Sequence, residues 1–134
     1  VRGTMPDGAV EIYEKTRELL RFSEETIRAG SIPSKIYEEM VALANEKGIG
    51  DNFMGPGDLA VKFTGHSVGL EVNESPVLAP RFDEPLAEGN TLAIEPKYTH
   101  PDWGVIGVEN TYAVRNDRLE NLTEISEDII SVAG

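Results

Sequence analysis

Gly65-His66-Ser67-Val68-Gly69-Leu70-Glu71-Val72-Asn73-Glu74 is the stretch on which the reading of the whole chain turns. His66 stands between an apolar run, Ala60-Val61-Lys62-Phe63-Thr64, and a run that alternates from Val68 through Leu70 to Val72, with Gly65 and Gly69 keeping both sides of the imidazole open. Both runs have the composition of strands. Two later carboxylates occupy similar settings. Glu95 closes Thr91-Leu92-Ala93-Ile94 and is followed by Pro96, which stops a ladder, and Glu109 interrupts the run from Val105 to Val114. A carboxylate in an apolar strand is costly to bury as an ion unless a cation or hydrogen-bond donors meet it. His66, Glu95 and Glu109 therefore read as one metal site, although the residues alone leave open that they are unrelated surface or salt-bridged groups. One imidazole with hard carboxylate oxygens suits Mn, Fe, Co or Zn, and the lack of any Cys excludes zinc-finger and iron–sulfur sites.

The ordered set Gly65-His66-x-x-Gly69-Leu70-Glu71, Ile94-Glu95-Pro96 and Val108-Glu109-Asn110-Thr111 resembles the C-terminal metal-ligand motifs of the pita-bread metallopeptidases, the superfamily of methionine aminopeptidase, Xaa-Pro aminopeptidase and prolidase. Glu95-Pro96-Lys97-Tyr98 and Gly107-Val108-Glu109-Asn110-Thr111 are closer to the Xaa-Pro branch. The resemblance implies the C-terminal half of a creatinase/aminopeptidase-like domain, α/β (α+β) in class, with the N-terminal half and its two Asp ligands absent. It also implies a metal-dependent exopeptidase, an Xaa-Pro aminopeptidase or dipeptidase, with two divalent ions in the full-length parent. In that reading His66 and Glu95 hold one ion, Glu109 bridges, and Glu95 exchanges a proton with the attacking water. This chain alone is then expected to be inactive and to bind at most one ion weakly.

Composition narrows the alternatives. The chain has 134 residues, enough for one domain with a modest core, and a net charge of -12 from 24 acids against 12 bases. Such a surface repels phosphate backbones and anionic lipid, which disfavours nucleic-acid and membrane partners. With no bilayer-length apolar run and no signal-like start, a cytoplasmic protein is expected. The chain begins at Val1 rather than Met, as expected of a piece of a longer polypeptide.

Apolar or small residues recur at Ala9, Ile12, Tyr13, Thr16, Leu19, Leu20, Ser23 and Ile27, which predicts a helix from about Ala9 to Ala29 with Asp7 as N-cap and Gly30 just past its end. A second helix is expected from Pro33 to Gly48. The helical pair, about 8–48, precedes a Gly/Pro-rich loop and a β half, about 59–123, with strands at Ala60–Thr64, Val68–Val72, Thr91–Tyr98, Val105–Val114 and Leu119–Leu122. Two helices packed on a mainly antiparallel sheet are the expected architecture.

Three positions depart from the pattern the resemblance implies. Lys62 and Asn73 stand where the family usually has His, and Gly107 stands where the Xaa-Pro branch often has Arg. Asn73 can donate to a developing oxyanion, Lys62 can meet a substrate carboxylate, and Trp103 can line a pocket for a proline ring. The alternative uses are a solvated Lys62, a turn-capping Asn73 and a packing role for Trp103. His100 reads as a surface histidine. A half-domain is also expected to expose apolar surface and to form homo-oligomers, besides meeting a peptide substrate and its missing half. The competing function is a non-catalytic peptide- or protein-binding module that keeps the fold.

Overall fold

The computed structural model describes residues 1–133. Helix α1 spans Asp7–Thr26 and helix α2 spans Pro33–Glu46. Both are amphipathic, as the spacing predicts. The first ends earlier than expected, because Ile27 turns to an extended conformation and drives its side chain into the core. Pro6, not Asp7, occupies the N-cap, and Asp7 lies in the first turn, where its charge opposes the helix dipole. Pro33 opens α2. Its other end is closed by the Gly48 N–H on the Asn45 carbonyl at 3.0 Å and the Ile49 N–H on the Ala44 carbonyl at 3.0 Å, with Gly48 at φ 72°. That paired bonding satisfies the last carbonyls and needs the left-handed residue that glycine supplies.

Among the described residues seven strands follow: β1 (Gly65–Ser67), β2 (Glu74–Leu78), β3 (Thr91–Ile94), β4 (Lys97–His100), β5 (Gly104–Gly107), β6 (Asn110–Val114) and β7 (Leu119–Asn121). Five of them form an antiparallel sheet in the order β2-β1-β3-β6-β7, and β4 pairs with β5 in a separate ribbon. Four expected strands are corrected. Ala60–Thr64 and Val68–Val72 are loops, and the strand after His66 begins only at Glu74. Leu70 and Val72, whose alternation suggested a buried face, are exposed. Thr91–Tyr98 and Val105–Val114 are each broken in two, at Glu95-Pro96 and Val108-Glu109.

Those two breaks face each other. Ile94 pairs with Asn110 and Lys97 with Gly107, so one register runs through β3–β6 and on through β4–β5, and the continuous ribbon changes sheet at the two acids. Side chains alternate across a strand, and the register therefore sorts them into two faces. One face sends Leu78, Leu92, Ile94, Tyr112, Val114 and Leu119 into a core with Leu19, Leu20, Ile36 and Met40 of the helices. Burial of these side chains is the main source of stability. The other face carries Val77, His66, Ala93, Glu95, Glu109 and Thr111, and among the described residues none of these belongs to the core built with the helices. Among the described residues no helix is long and apolar enough to cross a membrane.

Candidate metal centre

His66 is held by the middle of the sheet. It pairs with Val77 of β2 on one side and Ala93 of β3 on the other, and only 5% of it is exposed. Glu95 lies two residues beyond Ala93, on the same face, with its N–H bonded to the Thr64 carbonyl at 3.0 Å. The diagonal brings His66 Nε2 to 3.3 Å from Glu95 Oε1. The ring's other nitrogen, Nδ1, lies 3.1 Å from the Ser67 carbonyl oxygen. A carbonyl only accepts, so this contact places a proton on Nδ1 and leaves Nε2 of the neutral ring as a bare lone pair facing a carboxylate.

Two acceptors so placed call for a proton or a metal ion between them. Donors bound at about 2.1 Å to one ion stand roughly 3 Å apart, and a ligand histidine commonly donates its second N–H to a backbone carbonyl. The donor chemistry thus fits one side of a divalent ion's coordination shell. One further polar atom lies nearby: Thr64, opposite Glu95, is fully buried with its Oγ1 lacking a hydrogen-bond partner among the described residues.

Glu109 stands across from Glu95 and lines a cavity of about 290 Å³ with it, together with Lys97, Val105, Gly107 and Val108. It is exposed, and among the described residues no three His, Asp or Glu side chains gather round one point. The second oxygen of Glu95, Oε2, is bonded instead to the ammonium of Lys97. Lys97 is the residue that sequence reasoning passed over; its signal was its place two residues after Glu95, which puts both side chains on one face.

Asn73 shares a neighbouring cavity with His66, walled by Phe63, Glu74, Ser75 and Val77. Lys62 is exposed and lines a different cavity, beside Tyr37 and Asp58. Trp103 lies at the β4–β5 turn, stacked on His100 with ring centroids 3.8 Å apart and its edge against Gly8. The structure therefore groups His66 with Glu95, Glu95 with Glu109, and His66 with Asn73, while Lys62 and Trp103 sit apart.

Two helices packed on a mainly antiparallel sheet are the architecture of pita-bread prolidase and aminopeptidase structures. The profile of metallopeptidase family M24 matches residues 1–116, and the chain belongs to that family. It is 27% identical over 120 residues to an Xaa-Pro dipeptidase of Pyrococcus furiosus, covering 90% of this chain and 32% of that protein. A Lactobacillus helveticus Xaa-Pro dipeptidase is 26% identical, over 95% of this chain and 33% of its own length. Among solved structures, the Xaa-Pro dipeptidase of Bacillus anthracis superposes with a TM-score of 0.86 at 28% identity, over 98% of this chain and 35% of that one. The chain spans about a third of the length of the curated relatives it matches. The same fold, at 20% identity and a TM-score of 0.79, occurs in the N-terminal domain of the FACT complex subunit SPT16 from Eremothecium gossypii.

Proposed function

We propose that this chain is the C-terminal portion of a metal-dependent exopeptidase of the Xaa-Pro type, either an aminopeptidase or a dipeptidase, whose remaining ligands come from outside it. The open face of the sheet supplies His66, Glu95 and Glu109 to one side of a centre for two divalent ions. Such ions, when bound, polarise the peptide carbonyl and make water acidic enough to attack. Glu95 would take a proton from the attacking water on a carboxylate oxygen and return it to the departing amine. Asn73, in the cavity beside His66, donates its amide N–H to the carbonyl oxygen as negative charge develops there.

The observation that carries this reading is the His66–Glu95 pair, locked by the Ser67 carbonyl on the sheet face opposite the core shared with the helices. The test is hydrolysis of an Xaa-Pro dipeptide with Mn or Co by the parent polypeptide, by its H66A and E95Q variants, and by this chain alone. Turnover by the parent, at least a hundredfold loss in both variants and no turnover by the chain alone are expected, on the scale of losing a ligand or a positioned base. Turnover by the isolated chain contradicts it.

A second reading, a non-catalytic peptide- or protein-binding module, is favoured by Lys62, Asn73 and Gly107 at positions where the resemblance implies other residues. The fold occurs outside the peptidases and does not choose between the two. A parent that binds Xaa-Pro peptides without cleaving them, in the presence of Mn, decides for the second.

A further inference from the structure

Among the described residues Lys97 is the only cationic side chain lining the cavity between Glu95 and Glu109, and its neighbours fix where it lies. It projects to the same side of the ribbon as Glu95, and its Nζ is bonded to Glu95 Oε2 while His66 Nε2 faces Oε1. Directly across the ribbon is Gly107, where an added Cβ falls 2.8 Å from the Lys97 Cβ and 2.7 Å from the Pro96 carbonyl oxygen. The bare backbone at 107 makes room for the stem of Lys97. The ring of Phe63, 5.9 Å from Nζ, faces the ammonium from another side. The Glu95 side chain is 14% exposed and that of Lys97 29%, so water screens this pair only in part.

Glu95 thus already has a cation on one oxygen. A divalent ion recruited by His66 and Glu95 competes for the same carboxylate and is repelled by an ammonium a few ångströms away. We infer that Lys97 is a built-in counter-ion of Glu95, held on Oε2, whose charge weakens the binding of a divalent ion between His66 Nε2 and Glu95 Oε1. Lys97 is then a positioning residue: it holds the Glu95 carboxylate in place before the ion arrives and sets how tightly the ion binds. This inference rests on the proposed metal-binding role of His66 and Glu95. Gly107 and Lys97 act as a pair, since a side chain at 107 pushes the lysine out of the cavity.

The experiment titrates Mn into this chain and into K97M, K97R and H66A/K97M. Affinity is read from the free-Mn electron paramagnetic resonance signal, and location from broadening of the two imidazole proton resonances. His100, at the far end of β4, serves as the internal control. Circular dichroism confirms folding, and K97R keeps the charge if K97M is perturbed. K97M is expected to bind about tenfold more tightly than the unaltered chain, a modest ion-pair effect, with His66 broadened at lower Mn and His100 unchanged. K97R should bind like the unaltered chain, and H66A/K97M should lose the gain. If Mn broadens His66 equally readily with and without Lys97, the counter-ion role is overturned and the metal-binding reading stands. If Mn broadens His66 in none of the proteins, the metal-binding reading fails and the inference falls with it.

Discussion

Glu95 and Glu109 face each other across the one point where paired strands pass from the five-stranded sheet to the β4–β5 ribbon, with Ile94–Asn110 on one side and Lys97–Gly107 on the other. Like charges directly opposite in a sheet destabilise it by roughly 0.2–1 kcal/mol, and the exposure of Glu109 places this pair toward the lower end. Glu109→Gln should therefore raise the urea midpoint slightly in the presence of a chelator. The same variant should gain less stability from added Mn than the unaltered chain does.

Thr64 offers a separate test of the open face. Its buried hydroxyl has no partner among the described residues, and replacing such a group by an apolar isostere is neutral or stabilising. Thr64→Val should unfold at the same or higher temperature. A loss of more than about 1 kcal/mol would mean that the hydroxyl has a hydrogen-bond partner in solution.

Tyr112 crosses from β6 to α1, its hydroxyl donating to Glu24 Oε1 at 2.8 Å, and burial pushes its phenol well above the ordinary value of 10.0. Below about pH 10 the phenol is protonated in both folded and unfolded chains and adds no pH dependence. Above that, the unfolded chain releases the proton while the folded one keeps it, so stability falls as pH rises. Tyr112→Phe should cost about 1 kcal/mol at neutral pH and flatten the alkaline limb of a pH–stability curve.

On the helix-covered face, Leu92 is fully buried among side chains of both layers. Leu92→Ala should cost ~2–5 kcal/mol in denaturant titration, enough to unfold a marginal domain. Leu70→Ser, in the exposed loop after β1, should change stability by no more than about 0.5 kcal/mol. If this loop mediates self-association, the same variant should sediment as a smaller species.

The helices were legible because their apolar residues recur at helical spacing and because Pro33 and Gly48 punctuate α2. The strands were legible where their apolar side chains enter the core, as at Leu92 and Ile94. They were misread at Val68–Val72, where alternation marks an exposed loop, and at β2, whose Ser75-Pro76 resembles punctuation rather than a strand. At the site, spacing alone does not bring residues 66 and 95 together. That contact is made by β1 and β3 pairing out to Ile94, which period-two patterning cannot choose among possible partners. The role of Lys97 was hidden for another reason: a lysine in a strand ordinarily points to water, and only the glycine opposite leaves this one room to bond an acid.

The unbroken register of the β3–β4 and β5–β6 ribbon carries a further consequence for evolution of the chain. Its tip, His100 to Gly104, is the kind of exposed turn that tolerates length changes in other proteins. Here one residue gained or lost in either arm would rotate every downstream side chain by half a pleat, sending Glu109 toward the oily interior and Asn110 out to the open side. Viable indels in the arms should therefore come in compensating pairs, one in each strand, or not at all.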